Sequence, residues 1–356
     1  MIYIYIIKVA VLTFPLLAFL LSIPYMVIQY NRYGSINKLK TFIVGSFIFY
    51  LFCSYYMVIL PLPDPKTLTH SVQPQLVPFN FIFHFIKDTK LNISDTHTYL
   101  LALKQGVVIQ PLFNIVLTIP LGIYLASFFK VNLKKVILIG FLCSLFFEIT
   151  QLTGIFGLYQ HSYRLFDVDD LMLNTLGAVI GWFIGHELTF IPSKASLDDQ
   201  SMINSTKVSY SRRLVAFFID YVIINILSML IVIGLDLLFK INLNYIIINI
   251  ISLVLFITYM ILFNYKLHST IGKKLVHLKL DYHDITSLLI RYLLMLLVIP
   301  NFGIMAILLK LAGINFNLIF YLIIIINMLY EFRKNKELYY EKLSDVQNIN
   351  VFKKVK

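Results

Sequence analysis

"RLFDVDDLMLNTLGAVIGWFIGHE", residues 164–187, places one arginine and three aspartates directly before an apolar run. From Leu171 to Gly185 the run carries no charged residue. With its flanks it approaches the length of about 20 residues that a helix needs to cross a bilayer. The stretch therefore predicts a spanning helix with its charged residues gathered at one end.

The composition is that of a polytopic membrane protein. Of 356 residues, 59% are hydrophobic and 13% are charged, and the mean hydropathy is +0.82, whereas a soluble domain carries roughly 25% charged residues. The net charge of +12 comes from basic clusters between apolar runs, which is typical of cytoplasmic loops. The lipid bilayer is therefore the expected partner, and no nucleic-acid partner is expected.

Nine apolar runs are long enough to be predicted as spanning helices. They are residues 2–28, 41–60, 107–129, 136–153, 169–190, 213–239, 243–264, 286–310 and 314–331. The first is too long for a signal-peptide core and lacks a cleavage site, and Pro300 predicts a kink or break in the eighth. The expected fold class is all-α, with two helical bundles.

Basic residues cluster in alternate loops, which predicts the orientation of the chain in the cell membrane. These clusters lie at 32–40, 130–135, 207–213, 266–279 and 333–356. They predict an outside N-terminus and a cytoplasmic C-terminus, which requires an odd number of spans. Loop 61–106 then lies outside, and its proline-rich start predicts an extended segment that leads into an aromatic patch at the membrane interface.

A polar, serine-rich linker at 191–211 predicts a domain boundary. The first domain, 1–190, is expected to hold about five spanning helices. The second, 212–356, is expected to hold three or four spanning helices and a cytoplasmic tail.

Seven polar residues of the first domain are predicted to gather near the outer face of the membrane. They are Asn114, Glu148, Gln151, Arg164, Asp167, Asp170 and Asn174. Charge in hydrocarbon costs about 2.5–3.5 kcal/mol per residue, so such groups are normally paired. Two interpretations follow: structural ion pairs of Arg164 with Glu148 and Asp167, or an outward-facing pocket for a polar headgroup or ligand.

Gly177, Gly181 and Gly185 form two overlapping GxxxG steps, which predict that another helix backbone approaches closely. A contact within the chain is favoured over a homodimer. Cys53 and Cys143 lie in apolar runs without metal-ligand spacing, and they are expected to be packing residues.

Four stretches of the first domain resemble the VanZ-like family of membrane proteins. They are LVPFNFI (76–82), FNIVLTIPLG (113–122), EITQ (148–151) and RLFDVDDLMLNTLGAVIG (164–181). The resemblance covers about residues 1–190. It implies a membrane location and an effect on teicoplanin-type glycopeptide action, with a glycopeptide or cell-wall precursor as the partner at the outer face.

The second domain has its own polar residues. Asp220 follows Arg213 by seven residues on one face of the sixth helix, too deep to reach bulk water easily. It is expected to pair with Arg291 or to bind an ion or proton, with Asn264 in reach. Arg213, Asp220, STIGKKLVHLKL (269–280) and IRYLL (290–294) resemble the RDD family over about residues 207–352, although Glu341 stands where that family has a second aspartate.

Three functions remain open from the sequence. The first is a VanZ-type protein that reduces glycopeptide susceptibility. The second is a secondary transporter of cations or protons through the RDD half, and the third is a membrane-embedded enzyme on a lipid-linked precursor with Glu148 and Asp170 as acid and base. No nucleophile–histidine–aspartate pattern, metal-ligand cluster or cofactor motif is evident, so no catalytic residue, metal or cofactor is assigned.

Overall fold

The structure, a computed structural model, describes residues 2–68, 70–162, 164–240, 245–296 and 338–352. The chain divides into two compact units, residues 1–20 with 37–198 and residues 21–36 with 199–356. The division lies close to the predicted linker. It differs from the predicted boundaries in assigning residues 21–36, the end of the first helix and the loop after it, to the second unit.

Seven helices in the described part of the chain are long and apolar enough to cross a membrane, and they correspond to the first seven predicted spans. They are Lys8–Tyr33, Lys38–Ile59, Gly106–Ser127, Leu133–Leu152, Val168–Glu187, Tyr210–Leu238 and Ile247–Leu267. The prediction of an all-α polytopic membrane protein is confirmed. Of the eighth predicted span the structure describes the helix Ile285–Leu296, whereas Pro300 and the whole ninth span lie outside the described residues.

The described residues of the first unit form nine α-helical segments, two of which the unit shares with the second unit. They are α1 (Ile2–Tyr33, shared), α2 (Lys38–Ile59), α3 (Asn80–Asp88), α4 (His97–Leu103), α5 (Gly106–Ser127), α6 (Leu133–Leu152), α7 (Gly154–Gly157), α8 (Val168–Glu187) and α9 (Lys194–Ile203, shared). Asn37, Asn132 and Asp167 begin α2, α6 and α8, and each side chain accepts a backbone N–H of the first turn, as capping requires.

Helices α5, α6 and α8 form the core of the first unit. Leu121 and Leu125 of α5 pack with Val136 of α6 and Ala178 of α8. At one end of this bundle, Trp182 Nε1 donates a hydrogen bond of 2.9 Å to the carbonyl oxygen of Val131. The residues predicted as a polar cluster lie toward the opposite end, where α6 finishes and α8 begins.

Loop 61–106, which was predicted to start with an extended segment, includes two short α-helices, α3 and α4. All of α3 is accessible, and its apolar residues Phe83 and Ile86 are exposed. The short α7 is a left-handed turn rather than a right-handed helix, because Ile155 and Phe156 have φ values of 57° and 53°. Such values are uncommon outside glycine, and here glycines flank the turn on both sides.

The second unit is built on α10 (Tyr210–Phe239), α11 (Tyr245–Leu267), α12 (Ile271–Leu275) and α13 (Ile285–Leu296), with α14 (Tyr339–Ser344) from the tail. A two-stranded antiparallel ladder, β1 (Leu278–Asp281) with β2 (Gln347–Asn350), pairs Leu278 with Asn350. The sequence did not predict this ladder. It attaches the tail to the loop that follows α12.

Candidate functional site

A cavity of about 600 Å³ lies among α2, α5, α6 and α8 of the first unit. We call it the polar cavity. Six of the seven residues of the predicted cluster line it, namely Asn114, Glu148, Gln151, Arg164, Asp170 and Asn174, and the rest of its lining is mainly apolar. Three separate sequence motifs thus meet at one place, at the end of the bundle opposite the basic loops.

Glu148 is the most unusual group of the polar cavity. Its side chain is 2% exposed and accepts a hydrogen bond of 2.9 Å from the backbone N–H of Asp167. It forms no ion pair with any residue that the structure describes. A buried carboxylate without a cation is costly, so Glu148 needs a proton or an external partner.

The ion pairs of Arg164 with Glu148 and Asp167, one of the two interpretations of the cluster, do not form among the described residues. The guanidinium of Arg164 donates instead to two carbonyl oxygens at the end of α2, at 2.9 Å to Val58 and 3.4 Å to Leu60. Gln151 adds a third donor, because its Nε2 lies 3.1 Å from the oxygen of Val58. The last carbonyls of a helix lack partners and carry partial negative charge, so Arg164 stabilises the end of α2.

The three aspartates that begin α8 have three different roles. Asp167, which does not line the cavity, accepts the backbone N–H of Asp169 and caps α8, and burial raises the pKa of its carboxyl group. Asp169 accepts the backbone N–H groups of Phe79 and Phe81 at 2.6 and 2.8 Å, which anchors the start of α3. Asp170 faces the cavity and accepts the side-chain amide of Asn114.

Sequence reasoning did not assign a role to Asp169. The sequence signal for this role was the joint presence of two motifs. FDVDD supplies the carboxylate, and LVPFNFI supplies the backbone donors. Gln75 reinforces the same junction, because its backbone exchanges hydrogen bonds with Phe166 and Val168.

A chain of hydrogen bonds runs from the cavity between α5, α6 and α8. Ser144 Oγ donates to the carbonyl oxygen of Asp170 at 3.2 Å and accepts from Asn174 Nδ2 at 2.9 Å. Thr118 Oγ1 donates to the carbonyl oxygen of Asn174 at 2.6 Å. The polar groups below the cavity are therefore held in place by neighbouring helices.

The glycine face of α8 packs against α5 of the same chain. A Cβ atom on Gly177 would lie 2.1 Å from the carbonyl oxygen of Ile115, and one on Gly181 would lie 2.0 Å from that of Ile119. One on Gly185 would lie 2.8 Å from that of Ile123. Only glycine permits this approach, and the resulting contact fixes the position of Asp170 and Asn174 against Asn114.

In the second unit, the predicted pairing of Asp220 with Arg291 is wrong. Asp220 is buried and accepts three donors, the hydroxyls of Tyr259 at 2.7 Å and Thr270 at 2.5 Å and the N–H of Gly272 at 2.8 Å. Only glycine fits at position 272, because a Cβ atom there would clash with the carbonyl oxygen of Ala216 at 2.1 Å. With its partners supplied by the protein, Asp220 holds the α11–α12 loop against α10.

Glu341 joins the two arginines of the second unit. It forms ion pairs with Arg213 and with Arg291, the latter at 3.2 Å, and Arg291 also donates to the carbonyl oxygen of Val346 at 2.6 Å. The glutamate further accepts the N–H of Leu338 at 3.0 Å. These contacts attach α14 to α10 and α13, so the glutamate at this position serves as an anchor for the tail.

Three further buried cations escaped sequence reasoning. Arg212 donates to the carbonyl oxygens of Ser205, Val276 and His277. Lys273 Nζ lies 3.0 Å from Asn264 Oδ1 and 3.3 Å from the hydroxyl of Tyr292. Lys40 pairs with Asp198 between the start of α2 and α9. Their partners lie on other elements or loops, which a helical pattern cannot indicate.

Comparison with known families assigns both parts of the chain. Residues 47–190 match the family model described as VanZ/LLP1, and residues 207–339 match that of the RDD family. No curated protein and no solved structure matches the chain.

Proposed function

We propose that this chain, which joins a VanZ-like domain to an RDD domain, reduces susceptibility to teicoplanin-type glycopeptides from the cell membrane. In this proposal the polar cavity faces outward and binds the polar group of an amphipathic ligand. The RDD domain supports the membrane assembly, and its tail lies in the cytoplasm.

The main support for the proposal is that the buried Glu148 lines a cavity of about 600 Å³. Cavities of roughly 300–1,000 Å³ with apolar walls and a few polar groups are typical of ligand sites. An ionisable residue buried within a membrane bundle indicates function by default, and Glu148 has no direct ion pair among the described residues. Arg164, the cation expected to neutralise Glu148, is engaged with the end of α2 instead.

The positions of helix ends support the proposed outward orientation. The cavity lies where α2 and α6 end and where α5 and α8 begin. Lys38, Lys40, Lys134 and Lys135 lie at the other ends of α2 and α6. Lysine-rich loops stay in the cytoplasm, which supports a position of the cavity in the outer half of the membrane.

A susceptibility panel tests the proposal. A glycopeptide-sensitive host expressing the chain should tolerate more teicoplanin than the empty host. Glu148→Gln, which removes the charge at nearly constant shape, should abolish this difference. Glu187→Gln is the matched control, because Glu187 is exposed at the other end of α8; it should retain the effect, as should Asp220→Asn. No change with the wild-type chain, or full activity of Glu148→Gln at equal membrane level, would contradict the proposal.

A membrane-embedded enzyme is the second candidate, because two carboxyl groups, Glu148 and Asp170, line the same cavity. Two carboxyl groups are sufficient for acid–base catalysis when their protonation states differ. Turnover of a lipid-linked precursor by the purified chain, lost in Glu148→Gln, would favour this enzyme over a binding role.

A further inference from the structure

One residue that lines the polar cavity, Asn174, has a buried hydrogen-bond acceptor without a partner among the described residues. Asn174 is 3% exposed, and its Nδ2 donates to Ser144 Oγ. Its Oδ1 has no hydrogen-bond partner among the residues that the structure describes. Leaving such an atom unsatisfied is destabilising, so the site calls for a donor from outside the protein.

Two carboxyl groups that line the cavity can also accept hydrogen bonds from a ligand. Glu148 accepts only from the N–H of Asp167, and Asp170 accepts only from the amide of Asn114, among the described residues. Neither forms an ion pair within that part of the chain. The wall formed by α6 and α8 thus offers three acceptors with spare capacity, two of them carboxyl groups without an ion pair among the described residues.

A primary ammonium group matches this wall. It carries one positive charge and three N–H donors, one for each of Glu148, Asp170 and Asn174. A quaternary ammonium has the same charge but no N–H donor, and a hydroxyl group has one donor and no charge. Charge and donor number together therefore select an amine.

The remaining walls favour an amine carried by a lipid. Ile109, Phe113 and Phe147 contribute apolar surface, and the volume exceeds what an aminoethyl group fills. Lys104 lines the cavity where α4 meets α5, which suits a phosphate beside the amine. The preceding α4 is apolar and accessible, with Leu100 70% exposed, as is typical of a segment that rests in the membrane interface.

We infer that the polar cavity binds the headgroup of a membrane phospholipid bearing a primary amine, with the ammonium on Glu148, Asp170 and Asn174 and the phosphate near Lys104. This ligand assignment rests on the proposed binding role of the cavity. It predicts that the cavity discriminates headgroups by their N–H donors.

The test uses the purified full chain in maltoside detergent. Its thermal midpoint and calorimetric binding are measured with dihexanoyl phosphatidylethanolamine, and with phosphatidylcholine and phosphatidylglycerol of the same chain length. Free ethanolamine is a fourth probe, which separates a lipid from a soluble amine. The lipid with the primary amine should bind at least about tenfold more tightly than the choline lipid, which lacks the N–H donors.

Variants locate the site. Glu148→Gln and Asn174→Leu should each weaken binding of the primary-amine lipid by about tenfold or more, whereas Glu187→Gln should leave it unchanged. Because Asn174→Leu also removes the bond to Ser144, the near-isosteric Glu148→Gln is the decisive variant. Equal binding of the ethanolamine and choline lipids, or binding unaffected by Glu148→Gln, would overturn the inference.

Two outcomes separate this inference from the function on which it rests. If free ethanolamine bound as tightly as its lipid, the ligand would be a soluble amine and the lipid assignment would be wrong. If Glu148→Gln abolished teicoplanin tolerance while no lipid preference existed, the ligand would be wrong and the proposed function would stand. If lipid binding had the predicted preference without any effect on tolerance, the ligand would stand and the proposed function would fall.

Discussion

Lys273 is a residue whose protonation is tied to folding. It lies outside the spanning helices, where burial and the nearby Arg291 lower the pKa of its amine to about 7, with Asp220 and Glu341 partly opposing the shift. An exposed lysine has a pKa of about 10.4. Between these values the unfolded chain holds a proton that the folded chain has released, so stability should rise with pH from about 7 to about 10.

Replacing Lys273 should remove this pH dependence. The thermal midpoint of the detergent-solubilised wild type should increase between pH 7 and pH 9.5, and Lys273→Met should reduce the increase. Lys274→Met is the matched control, because the neighbouring lysine is exposed, and it should keep the increase. An equal increase in Lys273→Met and the wild type would show that the lysine is not the titrating group.

At the scale of elements, the packing of α5 against α8 leaves the least space for an added side-chain atom in the first unit. Gly181→Ala places a methyl group 2.0 Å from the carbonyl oxygen of Ile119, so the helices must separate. Overpacking of this kind costs about 1–3 kcal/mol. The thermal midpoint should fall, and ligand binding at the polar cavity should weaken because Asp170 and Asn174 move with α8.

Gly45→Ala provides the control for this element. Gly45 lies in the spanning helix α2, and a Cβ atom there would meet no other atom within 4 Å. The same substitution should therefore leave the midpoint unchanged or raise it slightly, because alanine favours helix by about 1 kcal/mol over glycine. A midpoint for Gly181→Ala equal to that for Gly45→Ala would contradict the close packing of α5 and α8.

Element positions followed from the sequence much better than side-chain partners did. Apolar length is a local property, so the first seven spans were predicted to within a few residues. Helical periodicity places Glu148 with Gln151 and Asp170 with Asn174, and these pairs line one cavity. It says nothing of donors on other segments, which is why Asp220 was paired with Arg291 rather than with Tyr259, Thr270 and Gly272.

The tail illustrates the same limit over a longer separation. Glu341 contacts Arg213, which lies 128 positions earlier in the chain, and β2 pairs with β1, with Asn350 opposite Leu278. Neither contact has a periodic signature. The sequence therefore singles out the charged residues of the RDD pattern as a group, whereas their pairing required the fold.

For the whole molecule, the alternation of basic loops predicts one orientation for both units. Single cysteines, in a background with Cys53 and Cys143 replaced by serine, can test it with a membrane-impermeant thiol reagent. Ser94→Cys and Lys240→Cys should react in intact cells. Lys134→Cys and Lys274→Cys should react only after the membrane is permeabilised, since lysine-rich loops stay in the cytoplasm.

Each unit thus carries its own pair of reporters, one on each predicted side, and all four positions are exposed. Reaction of Lys134→Cys in intact cells would show that the first unit has the opposite orientation. The polar cavity would then face the cytoplasm, where it could not meet a cell-wall antibiotic. Reaction of Lys274→Cys in intact cells would show that the second unit alone has the opposite orientation. An even number of spans would then have to precede Lys274. The orientation of the first unit therefore decides whether the cavity can act at the cell surface.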